Sequence, residues 1–226
     1  MTVIYLPAYK PEDWQPHLGD PKKHWRTGYS AKALAYCWQE AEGFPREVQI
    51  VFRNSGTPFA TLTPLIILPE HKVALPGRST ASQSDLWILA KSGNDLFSIT
   101  VEGKVSESFN KSVSDWLLED TKGKQTRLAF LIKTLGISDD FDRSIRYQLF
   151  HRTVSAILEA ERFLASHAMV IVHSFSPSDE WFEDYAKFVG LFGLTPKINS
   201  VVSAQAPFGL PLHFVWIHGD EKYLKK

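Results

Sequence analysis

Three features of this 226-residue chain predict an α/β domain, with a mixed central sheet flanked by helices. Segments of helical period bracket segments rich in β-branched and aromatic residues. The order is helices, antiparallel strands, then helix, strand, helix and strand, so the later strands reach the sheet through helical crossovers. The length and the 44% hydrophobic content suit one domain with a full core, and no linker or repeat divides it.

Residues 1–29 carry Pro, Trp and His with little periodicity and read as an extended arm. Ser30 can cap a helix over 30–42, with Ala31, Leu34, Ala35, Trp38 and Ala41 on one face and Gly43 at its end. Pro45 suits the first turn of a second helix through Phe52, stopped by Gly56. Strands are expected over 62–68 and 72–75, joined by a Pro69-Glu70-His71 turn. A hairpin follows, with strands over 85–90 and 96–105 around the turn residues Ser92, Gly93, Asn94 and Asp95. Helices are expected over 114–119, 124–135, 142–165 and 178–192. Buried strands are expected over 168–173 and 212–218.

Formal charge is zero, with 25 basic and 25 acidic residues. Neutrality counts against a dedicated nucleic-acid-binding module, whose affinity rests on neutralising phosphates. It leaves room for an enzyme whose acidic site takes a metal before phosphate approaches. A single cysteine, Cys37, excludes an internal disulfide framework, fits a reducing cytoplasm and reads as a small buried side chain. No apolar run is long enough to span a membrane, and the N-terminus lacks the features of a secretory signal. The eight histidines show no compact ligand spacing. Trp14, Trp25, Tyr29 and Trp38 could offer bases a stacking platform, but packing of the arm on the core is commoner.

In the hairpin, strand alternation sends Glu102 and Lys104 to one face and Val101, Gly103 and Val105 to the other. A charged pair on the face of an apolar strand needs compensation. Asp85 followed by Glu102-Gly103-Lys104 resembles the signature of the PD-(D/E)XK nuclease superfamily, with its restriction-endonuclease-like αβββαβ core. The proline that usually precedes the aspartate is replaced by Ser84. By order of elements the resemblance covers residues 30–173, leaving 174–226 as a C-terminal helix and strand. The stretches RYQLFHRTVSAILEAERF and HAMVIVHSFSP are similar to an uncharacterised bacterial branch of that superfamily.

The resemblance implies a phosphodiester hydrolase that uses Mg²⁺ or Mn²⁺ on nucleic acid, with DNA the expected substrate. Asp85, Glu102 and the backbone carbonyl of Gly103 would hold the metal, and Lys104 would position or deprotonate the attacking water. An acid from the preceding helix would complete the site. Glu42 lies nearer the apolar face than Glu40, and both remain candidates. On the crossover helix Gln148 and Arg152 stand one turn apart, within reach of the metal or the phosphate backbone, whereas His151 falls on the opposite face. The competing reading is a catalytically inactive nuclease fold used for binding or regulation. A hydrolase of small phosphorylated molecules is a weaker third, and assembly as a homodimer stays open.

Overall fold

The computed structural model describes residues 3–4, 8–119 and 121–226. Residues 1–2 and 5–7 of the expected arm, and Asp120, lie outside the described residues. The strands are β1 (Val3–Ile4), β2 (Thr63–Val73), β3 (Ser82–Ser92), β4 (Asp95–Lys104), β5 (His167–Ser174), β6 (Val202–Gln205) and β7 (Pro211–His218). They form one sheet in the order β1-β2-β3-β4-β5-β7-β6. β2, β3 and β4 make an antiparallel meander, and β5 and β7 run parallel to β4. The sheet is therefore mixed, as expected.

Alternation along the strands splits the core into two layers. Ile88, Ile99, Val101, Met169 and Ile171 face the layer containing α2 (Ser30–Ala41) and α3 (Arg46–Asn54). Val170, Val172, Phe214 and Trp216 face α5 (Lys122–Leu135), α6 (Tyr147–Arg162) and α7 (Phe182–Gly190). A short α4 (Val113–Leu117), capped by the Ser112 hydroxyl, contributes Trp116 to that second layer. α6 is the crossover from β4 to β5 and lies directly on both strands.

Several expectations need correction. The Pro69-Glu70-His71 turn does not form, because β2 runs unbroken through it. Glu70 stays in the strand but adopts a left-handed φ of +54°, a conformation uncommon for a residue with a Cβ. The arm is not extended throughout: residues Pro11–His17 form a 3₁₀ helix and Pro21–His24 a short helix, α1. Trp14 and Trp38 are buried, which removes the stacking platform in favour of packing. The crossover helix begins at Tyr147, not at residue 142. The backbone before it pairs with residues 111–114 through Val113 N to Ile145 O and Tyr147 N to Lys111 O. The edge strand β6 is four residues long, too short to leave a periodic signal.

The loop between β2 and β3 is held from α5. Arg127 is buried and donates to the carbonyls of Leu75, Pro76, Arg78 and Thr80 at 2.8–2.9 Å. The backbones meet where Gly77 (φ +84°) crosses Gly123. A Cβ at Gly123 would fall 2.2 Å from the Gly77 carbonyl oxygen. In an ordinary helix, alanine for glycine is worth about 1 kcal/mol of stabilisation. Here the contact reverses the sign. Gly123→Ala is expected to lower the melting temperature, and a rise in a thermal melt would show that the loop does not seat on α5.

Candidate active site

The sheet forks at one end. The β3–β4 ladder stops at Leu86↔Val101, while β3 continues beside β2 to Ser82↔Val73 and β4 continues beside β5 to Lys104↔Ser174. Backbone groups at such a split lose their partners and must find others. Asp85 supplies one: its Oδ2 accepts the Gly103 N–H at 2.7 Å, in the place of a ladder carbonyl. That interaction is also what the structure shows for Gly103, expected above as a carbonyl ligand.

The fork gathers charge. Glu70 lies between the pairs Pro69↔Leu86 and His71↔Ser84, so it stands opposite Asp85. Asp85 in turn sits one step beyond Leu86↔Val101, level with Glu102. The three carboxyl residues thus occupy one level of adjacent strands. They line a cleft of about 300 Å³ together with Lys104, Gln148, Arg152, Gln83 and the start of α2 at Ser30 and Ala31. Leu18, Gly19 and His24 of the N-terminal arm close one side.

Glu102 is buried and fully engaged. Its Oε1 accepts from Lys104 Nζ at 2.7 Å and from Gln148 Nε2 at 2.6 Å, and its Oε2 accepts from Arg152 Nε at 2.6 Å. Burial alone would raise its pKa, but Arg152 and Lys104 outweigh that and hold it down at about 2. Asp85 and Glu70 go the other way. Burial, then the charge of Glu102, pushes Asp85 up to about 7. Burial, then Asp85, pushes Glu70 up to about 8, although Gln83 Nε2 donates to it at 2.6 Å. Two carboxyls with raised pKa beside a third held ionised leave the cleft short of positive charge.

Asp85, Glu102, Lys104, Gln148 and Arg152 are therefore brought together. The two helical acids are not. The start of α2 meets the cleft, and Glu40 and Glu42 lie at its far end, roughly 15–18 Å along the axis. Glu40 pairs with Lys226 at 3.2 Å, and Glu42 lines a separate hollow with Phe44 and Arg53. Glu70 fills the vacancy they leave. Its turn-like neighbours, Pro69 and His71, hid it, and only the strand register exposes it. His151 also departs from expectation. It stands beside Arg152 with Nδ1 2.9 Å from the Ser82 hydroxyl, and lines with Gln148 and Arg152 a hollow next to the cleft.

A second cluster, Cys37, Glu47 and His173, holds its ligand atoms within 4.8 Å of one another. Its hydrogen bonds argue against an ion there. The Trp38 indole can only donate, and it donates to His173 Nδ1 at 3.1 Å, so the imidazole proton sits on Nε2 and points at Glu47 Oε1, 3.2 Å away. Ligation through Nε2 would require an anionic imidazole. The Cys37 thiol, pushed up by burial and by Glu47, donates to the same carboxylate oxygen at 3.4 Å. The cluster is a satisfied internal chain.

Fold and site together define an α/β protein whose sheet opens into a cleft lined by acids and bases. The chain belongs to the family described as a domain of unknown function (DUF6946), whose model matches residues 7–221. Neither a curated protein nor a solved structure matches it.

Two outcomes follow from the charges. An acid with a raised native pKa binds its proton more tightly folded than unfolded, so stability is gained as pH falls through the native pKa. Between about pH 8.5 and 6.5 the melting temperature is expected to rise on acidification. That window lies well above the ordinary carboxylate range, and its lower part overlaps the histidine range, so the carboxyl variants are what assign the slope. The double variant Glu70→Gln, Asp85→Asn should flatten the rise, and an unchanged slope would place the titration elsewhere. Glu102→Gln leaves buried Lys104 and Arg152 without their counter-charge. It should cost about 3–5 kcal/mol in denaturant unfolding, whereas a loss under 1 kcal/mol would mean that the network carries little.

Proposed function

We propose that the cleft is the active site of a phosphodiester hydrolase acting on nucleic acid in the cytoplasm, with Mg²⁺ or Mn²⁺ as its cofactor. The observation that carries this reading is the fork, which sets Asp85, Glu102 and Lys104 of the D…E-x-K pattern at one opening with Glu70 beside them. The donor set fits a hard cation. Carboxylate oxygens are what Mg²⁺ and Mn²⁺ take, and the raised Asp85 and Glu70 are the groups a divalent charge would relieve. Asp85, Glu70 and the Glu102 oxygens would hold the ion, which when bound supplies positive charge to offset that building on the phosphate.

The chain's own groups do the rest. Lys104 Nζ, fixed by Glu102 and lying 4.7 Å over the Phe109 ring, is a point charge aimed at the cleft, suited to a phosphate oxygen or to the incoming water. Gln148 and Arg152 hold Glu102 in place, so the carboxylate keeps its position while substrate binds. The water oxygen bonds to phosphorus, the ester P–O bond breaks, and the departing oxygen takes up a proton. The saturation of both Glu102 oxygens favours a second reading, in which Arg152 and Lys104 have replaced the ion and the fold serves as a binding module.

Metal titration and cleavage separate the two. In a catalytic site, millimolar Mn²⁺ raises the melting temperature of the wild type, with about 2.7 kcal/mol of stabilisation at a hundredfold excess over Kd. Asp85→Asn should abolish the rise. Lys104→Ala should cut DNA hydrolysis by about 10²–10³ with metal binding retained. A wild type that neither responds to Mn²⁺ nor cleaves any nucleic acid leaves the binding module.

A further inference from the structure

The acid cleft does not stand alone. It shares Asn110, Gln148 and Arg152 with a second hollow of about 360 Å³ along α6. That hollow shares Trp116, Tyr147 and His151 with a third, of about 150 Å³, under the 75–81 loop. The three form one path. Its chemistry changes abruptly beyond the cleft: among the described residues no carboxylate lines the second and third hollows, and their ionisable groups are Lys111, His151 and Arg152, then Arg78, Arg127 and Tyr147. In a chain with equal acidic and basic counts, a wall without acids is a local enrichment of positive charge.

The middle of the path is aromatic. Tyr147 stacks on Trp116 with ring centroids 3.9 Å apart and planes 9° from parallel. Tyr147 is half-buried and lines the third hollow with Arg127, which also holds the loop that presents the exposed Arg78. Lys111, at the near end, is exposed as well. Aromatic rings and cations thus lie together along the path, the two kinds of group that the bases and phosphates of an unpaired strand would meet.

Resting on the hydrolase reading above, we infer that this path binds a single-stranded segment of nucleic acid leading into the acid cleft. Its phosphates meet Lys111 and Arg78, and an unpaired base packs against the accessible part of Tyr147, whose ring rests on the buried Trp116. A duplex keeps its bases stacked inward and cannot offer one to a channel between α4 and α6.

The test is binding without chemistry. Fluorescein-labelled 12-mers of single-stranded DNA, single-stranded RNA and duplex DNA are titrated with wild type in EDTA at low salt, read by anisotropy and by tryptophan fluorescence. The inference expects single strands to bind at least tenfold more tightly than duplex, with Trp116 emission quenched. Tyr147→Ala should lose about tenfold. The exposed substitutions Lys111→Gln and Arg78→Gln should each weaken binding severalfold and reduce its salt dependence, at an unchanged melting temperature. A tighter hold on one of the two single strands identifies the natural polymer. Equal or tighter duplex binding, or affinity untouched by Arg78→Gln and Lys111→Gln, overturns the inference. Mn²⁺ stabilisation is measured without oligonucleotide. Strand binding without a metal response upholds the path and rejects hydrolysis, and hydrolysis insensitive to the path variants does the reverse.

Discussion

The arrangement of this molecule hangs on the point where β3 leaves β4. A sheet cannot split without stranding peptide groups, and a stranded N–H in the interior costs free energy comparable to a lost hydrogen bond. Asp85 meets that cost with one carboxylate oxygen on the Gly103 N–H. Because the split is closed by a side chain and not by backbone, its second oxygen is left at the opening. The same contact therefore ends the ladder, holds the cleft open and places an acid in it. Glu70 joins because β2 stays with β3 through the split, and its left-handed backbone gives the strand a local irregularity there.

Glu102 solves a different problem. A buried carboxylate is tolerable only with close counter-charges, and it draws Lys104 from its own strand and Gln148 and Arg152 from α6. That network ties the crossover helix to the sheet at the level of the fork. It also gives the site its internal contrast, with one acid held ionised by cations and two others, further from those cations, driven toward protonation. An arrangement that served stability alone would pair every acid, or would place apolar side chains there.

Much of this was legible in the sequence. Alternation alone put Glu102 and Lys104 on one face, because a strand between two apolar layers leaves no freedom of facing. The spacing of Gln148 and Arg152 set them on one side of a helix. The errors share a cause, since local signals cannot report what a segment meets in space. Pro69, Glu70 and His71 carry turn composition, yet pairing with β3 keeps them in the strand. The helical wheel chose between Glu40 and Glu42 by face, but what matters is which end of α2 meets the fork, and that is a tertiary fact. His151 was assigned by face as well, and it lies beside Ser82 because the 75–81 loop folds back toward α6.

The zero net charge illustrates the same limit and bears on function. As an average it weighs against binding to a polyanion. In space the charges separate: carboxylates cluster at the fork, and among the described residues the charged side chains lining the walls along α6 are lysine and arginine. A polyanion responds to the field within about a Debye length, roughly 8–10 Å at ordinary salt, and not to the sum over the chain. A neutral protein can thus present a cationic approach to an acidic centre. The acidic centre then selects what may finish the approach, since phosphate can enter a nest of carboxylates only when a cation has gone in first. On the proposed hydrolase reading, separation of the two charges would order the events, with strand along the path and metal at its end, and no excess of basic residues would be needed for it.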